Sequence, residues 1–87
     1  MPHVTVKLWP GKSETQKKQL SERITRDVMD VLHYGEDSVS VSMIEVAPED
    51  WAEQVLDLDI EGGAGTVYKH PGYTASDLPA RRASRRR

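Results

Sequence analysis

The sequence predicts an α+β chain: a β-α-β unit of two parallel strands and a crossover helix, with its sheet completed by dimerisation. Three observations carry this. Val4, Val6 and Leu8 alternate with Thr5 and Lys7, the period of a half-buried strand. Leu20, Ile24, Val28, Val31 and Leu32 then recur at helical spacing. Val39 to Val46 is a second β-rich run. A strand, a long helix and a strand in that order give parallel pairing.

The first strand stops at Trp9-Pro10-Gly11, a turn signal. Pro2 shares the parity of Val4, so it is expected on the buried side, and a proline is tolerated at a strand's first position. Ser13 and Gln16 have the spacing of a capping box, and a helix of roughly 20 residues is expected to follow. Its polar face carries Lys17, Lys18, Glu22, Arg23, Arg26 and Asp30, and Tyr34-Gly35 supplies the stop. In the second strand Val39, Val41 and Met43 share one face while Ile44 and Val46 share the other. That change of parity implies either a bulge or burial on both faces.

Ala47-Pro48-Glu49-Asp50-Trp51 reads as another helix start, with proline at its first position and acids at the positive end of its dipole. Trp51, Val55 and Leu58 form its apolar stripe, and Gly62-Gly63-Ala64-Gly65 ends it as a flexible connector. Thr66-Val67-Tyr68 is expected as a short edge strand, followed by a turn at His70-Pro71-Gly72-Tyr73. One domain over 1–74 and a disordered basic tail over 75–87 complete the organisation.

Two strands and one helix leave long sheet edges unpaired, and a two-stranded sheet is marginal alone. A homodimer sharing one sheet is the economical remedy, with a hexamer as the alternative. The chain has 87 residues and no cysteine, so neither a disulfide nor a thiolate metal site can support so small a core. His3, His33 and His70 lack metal-ligand spacing, so no metal or cofactor is expected. No secretion signal or membrane-length apolar run is present, which points to a cytoplasmic protein.

The net charge of −2 is unevenly spread. All 14 acids and seven of the 12 bases precede residue 81, a body charge of −7. Arg81, Arg82, Arg85, Arg86 and Arg87 give the tail +5. Arginine clusters favour phosphates, but the acidic body repels nucleic acid, and the tail lacks aromatics on which bases could stack.

The stretch with most chemical potential is the start. Removal of Met1 would leave Pro2 as a free secondary amine. An α-amino group titrates only slightly above neutral, and an apolar pocket lowers that further. A neutral amine poised near working pH suits general base catalysis. His3 adjoins it on the other strand face, either as a surface residue or as part of the site.

Pro2 and the first strand, Gly11-Lys12-Ser13 with Gln16-Lys17, Ser38-Val39, and Glu45 with Trp51 together resemble the 4-oxalocrotonate tautomerase family. Pro2-His3 with Lys7 and Pro10, Pro48-Glu49-Asp50-Trp51, and Lys69-His70-Pro71-Gly72-Tyr73 are similar to its dimeric bacterial branch. The resemblance spans residues 2–74 and implies a β-α-β fold with the Pro2 amine as the base of a keto–enol isomerisation. It also implies that Lys12 stands where hexameric members hold a substrate carboxylate with arginine, and Ser40 where a second arginine grips the carbonyl region. Trp51 matches the aromatic that walls the pocket.

Lysine is a point charge and not a bidentate fork, and serine offers one neutral hydrogen bond. These departures favour a substrate with one carboxylate and an aromatic group, similar to phenylpyruvate. No arginine lies between residues 2 and 22, so water-activating reactions fit less well. Two classes of function are therefore expected. One is a cofactor-free tautomerase acting on a small carboxylate through Pro2, with Lys12, Ser40, Trp51 and His3 contacting substrate. The alternative is a non-catalytic β-α-β dimer that binds anions through its arginine tail.

Overall fold

A computed structural model describes residues 1–81, which form two compact units, 1–45 and from 46 onward. In the first unit, β1 (His3–Leu8) and β2 (Ser40–Glu45) pair in parallel, joined through α1 (Glu14–Leu32) and a short 3-10 turn, Glu36–Ser38. The strand–helix–strand order is the one read from the sequence.

The helix begins where its capping box places it. The Gln16 amide donates to Ser13 Oγ at 3.1 Å, and the Ser13 amide donates to Gln16 Oε1 at 3.0 Å. These bonds satisfy two otherwise orphaned donors. The helix ends at His33, whose φ of 62° turns the chain out of the helix two residues before Gly35. Histidine is among the side chains that visit this left-handed region more readily than most.

The register runs unbroken from His3 opposite Ser40 to Leu8 opposite Glu45, so β2 contains no bulge. Val4, Val6, Val41 and Met43 share one half-buried face, and α1 lies over it: Lys17 of α1 reaches Glu45 on the same face at 3.0 Å. Ile44, on the other face, is 46% exposed, so burial on both faces does not explain the parity change either. Val46 is buried but lies beyond the strand, as the first residue of the second unit.

The covered side of α1 runs through Lys17, Ser21, Ile24, Thr25, Val28 and Met29. Of the expected apolar stripe only Ile24 and Val28 lie there, whereas Leu20, Val31 and Leu32 are exposed. The first unit contains no fully buried side chain.

In the second unit α2 (Pro48–Trp51) passes directly into a π-helix, Ala52–Glu61. The Gly62 amide donates to the Asp57 carbonyl five residues back, at 2.8 Å. Widening the turn changes which side chains share a face. Ala52, Val55 and Leu56 are buried, and Leu58, expected beside Trp51 and Val55, is 62% exposed. The glycines that follow do more than connect. A Cβ at Gly62 would stand 2.6 Å from the Asp57 oxygen, and one at Gly63 would strike the Asp59 carbonyl.

No strand forms at Thr66-Val67-Tyr68; the sheet has two strands, and Tyr68 is almost wholly exposed. Within the segment expected to be a disordered tail, Ala75–Asp77 forms a 3-10 turn held by a Thr74–Asp77 capping box, and Arg81 pairs with Asp57 at 2.9 Å. The remainder of that expected tail, 82–87, lies outside the described residues. Among the described residues no helix is long and apolar enough to cross a membrane.

Candidate active site

Pro2 sits half-buried immediately before β1. Its carbonyl accepts the Ser40 amide at 3.2 Å, tying the start of β1 to the start of β2. Parity sends the Pro2 ring toward the face under α1.

His3 and Ser40 meet. Register places them directly opposite, and the His3 Nδ1 to Ser40 Oγ distance is 2.7 Å. The other ring nitrogen, Nε2, lies 3.4 Å from Ser42 Oγ, and Ser42 Oγ lies 3.3 Å from Thr5 Oγ1. A polar strip thus runs along the sheet face opposite α1. Ser42 was not among the sequence candidates, although its parity with Ser40 in a serine–valine–serine alternation was the available signal.

Lys12 is exposed in the turn between β1 and α1. A strand rises about 3.3 Å per residue, so this turn lies roughly 20 Å from Pro2, at the far end of β1. Pro2 and Lys12 of one chain therefore do not meet. The nearby Lys17 is engaged by Glu14 at 2.8 Å and Glu45 at 3.0 Å. Hydrogen bonds to those carboxylates hold the Lys17 amine above its ordinary range, and the bond to Lys17 holds Glu14 below its own.

Trp51 closes α2 and is half-buried. Its indole Nε1 donates to the Tyr73 hydroxyl at 2.8 Å, fixing the ring within the second unit. Tyr73 lies in a loop, where no hydrophobic period could mark it in advance. At Arg81 the Asp57 carboxylate raises the guanidinium's already high pKa.

Grooves open among the described residues. One, of about 500 Å³, runs along α1 past Ser21, Thr25, Arg26 and Met29. Another, of about 450 Å³, lies between Leu56, Ile60, His70 and Tyr73. Neither is lined by Pro2, His3, Lys12, Ser40 or Trp51. Among the described residues no three His, Asp or Glu side chains gather in a set that could hold a metal ion.

The sequence profile of the "Tautomerase enzyme" family matches residues 2–56. A probable tautomerase of Xylella fastidiosa is 40% identical over 73 residues, covering 84% of this chain and 89% of its own. Tautomerase PptA of Cronobacter sakazakii is 38% identical over 74 residues, covering 84% and 97%. Among solved structures, YwhB, a homologue of 4-oxalocrotonate tautomerase, superposes with a TM-score of 0.57 at 30% identity, over 62% of this chain and 88% of that one. TomN, a 4-oxalocrotonate tautomerase homologue in the tomaymycin biosynthetic pathway, gives 0.56 at 30% identity, over 57% and 77%. With Pro2 immediately before a β-α-β unit and a family match beginning at that residue, the chain belongs to the tautomerase family of isomerases and has the 4-oxalocrotonate tautomerase fold.

Proposed function

We propose that the chain is a cofactor-free keto–enol tautomerase of small 2-oxo carboxylates such as phenylpyruvate, with the Pro2 amine, freed by removal of Met1, as its general base. The observation that supports this most directly is the position of Pro2. It is the first residue of the family match and the start of β1, anchored through its carbonyl to Ser40. The reaction needs no external reagent. The neutral amine takes the enol hydroxyl proton, and the oxygen's electron pair closes the carbonyl as the C=C pair turns toward C3. The Pro2 ammonium then returns a proton to C3, restoring the amine. For this the amine must be neutral at working pH.

Substrate contacts are assigned to Lys12, Ser40, His3 and Trp51. The resemblance gives Trp51 the role of apolar wall, and its indole is held by Tyr73. Lys12 serves the Pro2 of a second copy. The free edge of β1 can pair with itself about a two-fold axis, and such a self-complementary edge contact is antiparallel. It sets the Leu8 end of one β1 beside the Pro2 end of the other, which brings Lys12 toward the partner's amine. The homodimer is accordingly part of the proposal.

The test is ketonisation of enol-phenylpyruvate by protein whose intact mass proves a free Pro2. One extra residue before Pro2 converts the amine to an amide and is expected to abolish turnover in a folded protein. Undiminished activity in that blocked protein would rule out Pro2 as the base.

A further inference from the structure

We infer that Tyr73 is a positioning residue of the tautomerase site: its hydroxyl fixes the Trp51 indole in the orientation that receives the aromatic ring of a 2-oxo acid. The inference rests on the reading of Trp51 as the pocket's apolar wall and adds the group that sets that wall.

Chemistry fixes the direction of the bond. An indole N–H can only donate, so the Tyr73 oxygen accepts it, at 2.8 Å. Both residues belong to the second unit, and both are half-buried. A ring sealed in a core is oriented by close packing on every side. Here packing does less, because a groove of about 450 Å³ opens beside Tyr73, along Leu56, Ile60, His70 and Pro71. A ring that borders open space can swing, and a directed hydrogen bond restricts it.

Such a bond positions the indole only if its far end is itself held. Two residues before Tyr73, the ring of Pro71 fixes its own φ. Directly after Tyr73, the Thr74 amide donates to Asp77 Oδ2 at 2.8 Å, and the Asp77 amide donates to the Thr74 carbonyl at 2.9 Å. The tyrosine therefore projects from a braced loop. Trp51 closes α2, which runs on into a π-helix whose Ala52, Val55 and Leu56 are buried. Each end of the bond has a firm support.

The consequence lies in binding. An indole free to swing must be ordered when a ligand ring packs on it, and immobilising one such side chain weakens binding by about two- to tenfold. A preset indole avoids that loss. The wall contacts a ring remote from the reacting atoms, in the ground state and the transition state alike, so its effect appears in KM and not in kcat.

Phenylglyoxylate is a suitable probe: a 2-oxo acid with an aromatic ring and no enolisable hydrogen, so its binding does not depend on turnover. Its Kd would be measured for protein with free Pro2 in unsubstituted form, as Tyr73→Phe, as Trp51→Phe and as the double variant, each shown to be folded by circular dichroism. Tyr73→Phe deletes only the accepting oxygen. It is expected to weaken probe binding about fivefold and to raise KM for enol-phenylpyruvate by a similar factor, with kcat within about twofold. The Trp51 indole proton resonance, assigned by its loss in Trp51→Phe, should move in the same variant. Trp51→Phe has no N–H to hold, so adding Tyr73→Phe to it should change Kd no further. An unchanged Kd in Tyr73→Phe would overturn the inference. An equal loss in both backgrounds would overturn it too, by showing that Tyr73 acts on the ligand without Trp51. Trp51→Phe binding as tightly as the unsubstituted protein would remove the wall and this inference together. Absence of enol turnover alongside the expected binding pattern would instead overturn the Pro2 reading and leave the role of Tyr73 standing.

Discussion

Trp51 has one indole N–H, and Tyr73, 22 residues further on, accepts its hydrogen bond. Tyr73→Phe removes that acceptor and leaves a part-buried donor with less to bond. The expected cost is about 1 kcal/mol of stability, read as a lower urea midpoint with an unchanged m-value. A midpoint that does not move would show that the indole is held by packing alone. The residues of the candidate site were unequally legible for similar reasons. Pro2 announced itself by its place in the chain. His3 and Ser40 needed the register, because only the pairing shows that a residue near the N-terminus stands opposite one 37 positions later. Tyr73 stands in a stretch that carries part of the family resemblance, but its bond to Trp51 had no legible signal, since a loop side chain reaching back to a helix leaves no period in the sequence.

At the level of elements, the first unit was largely readable. The capping box and the alternation in β1 are local signals, and local geometry honours them. The second unit departs from the sequence pattern where the helical period changes. A stripe of Trp51, Val55 and Leu58 assumes 3.6 residues per turn, but the π-helix rotates Leu58 into solvent and buries Leu56. The expected edge strand at Val67 has the right residue types but no strand beside it in the two-stranded sheet.

Lys17 shows how α1 is tied to β2, and this connection should depend on pH. The lowered Glu14 pKa contributes stability that is present above the ordinary carboxylate range and lost as pH falls through the lowered value. The raised Lys17 pKa contributes stability that is complete below lysine's ordinary range and lost as pH rises through the raised value. Neutral pH lies between those limits, where both contributions operate. Lys17→Met should therefore be less stable than the unsubstituted protein near neutrality, with the gap narrowing below the carboxylate range. Urea unfolding of the two proteins at both conditions would measure this. A pH-independent gap would mean that Lys17 acts through its methylene stem.

For the molecule as a whole, the β-α-β unit has no fully buried side chain and exposes Trp9, Leu20, Val31, Leu32, Tyr34 and Ile44. A unit so open gains stability by burying apolar surface against another copy, at about 25 cal/mol per Å² removed from water. Light scattering after gel filtration is expected to give a dimer mass, with a hexamer favouring the alternative assembly. The pairing of β1 edges makes a sharper prediction. If Lys12 of one chain serves Pro2 of the other, two defective proteins should repair one another. A Lys12→Ala chain retains the amine, and a chain blocked before Pro2 retains the lysine. Mixed in equal amounts under exchanging conditions, half the dimers are hybrids, and each hybrid has one site with both groups. Low-substrate activity should then approach about a quarter of that of the unsubstituted protein, although the blocked parent is inactive and Lys12→Ala is weakened mainly in KM. Activity equal to the plain sum of the two parents would show that Lys12 does not act across a dimer, and the shared-site arrangement would fall with it.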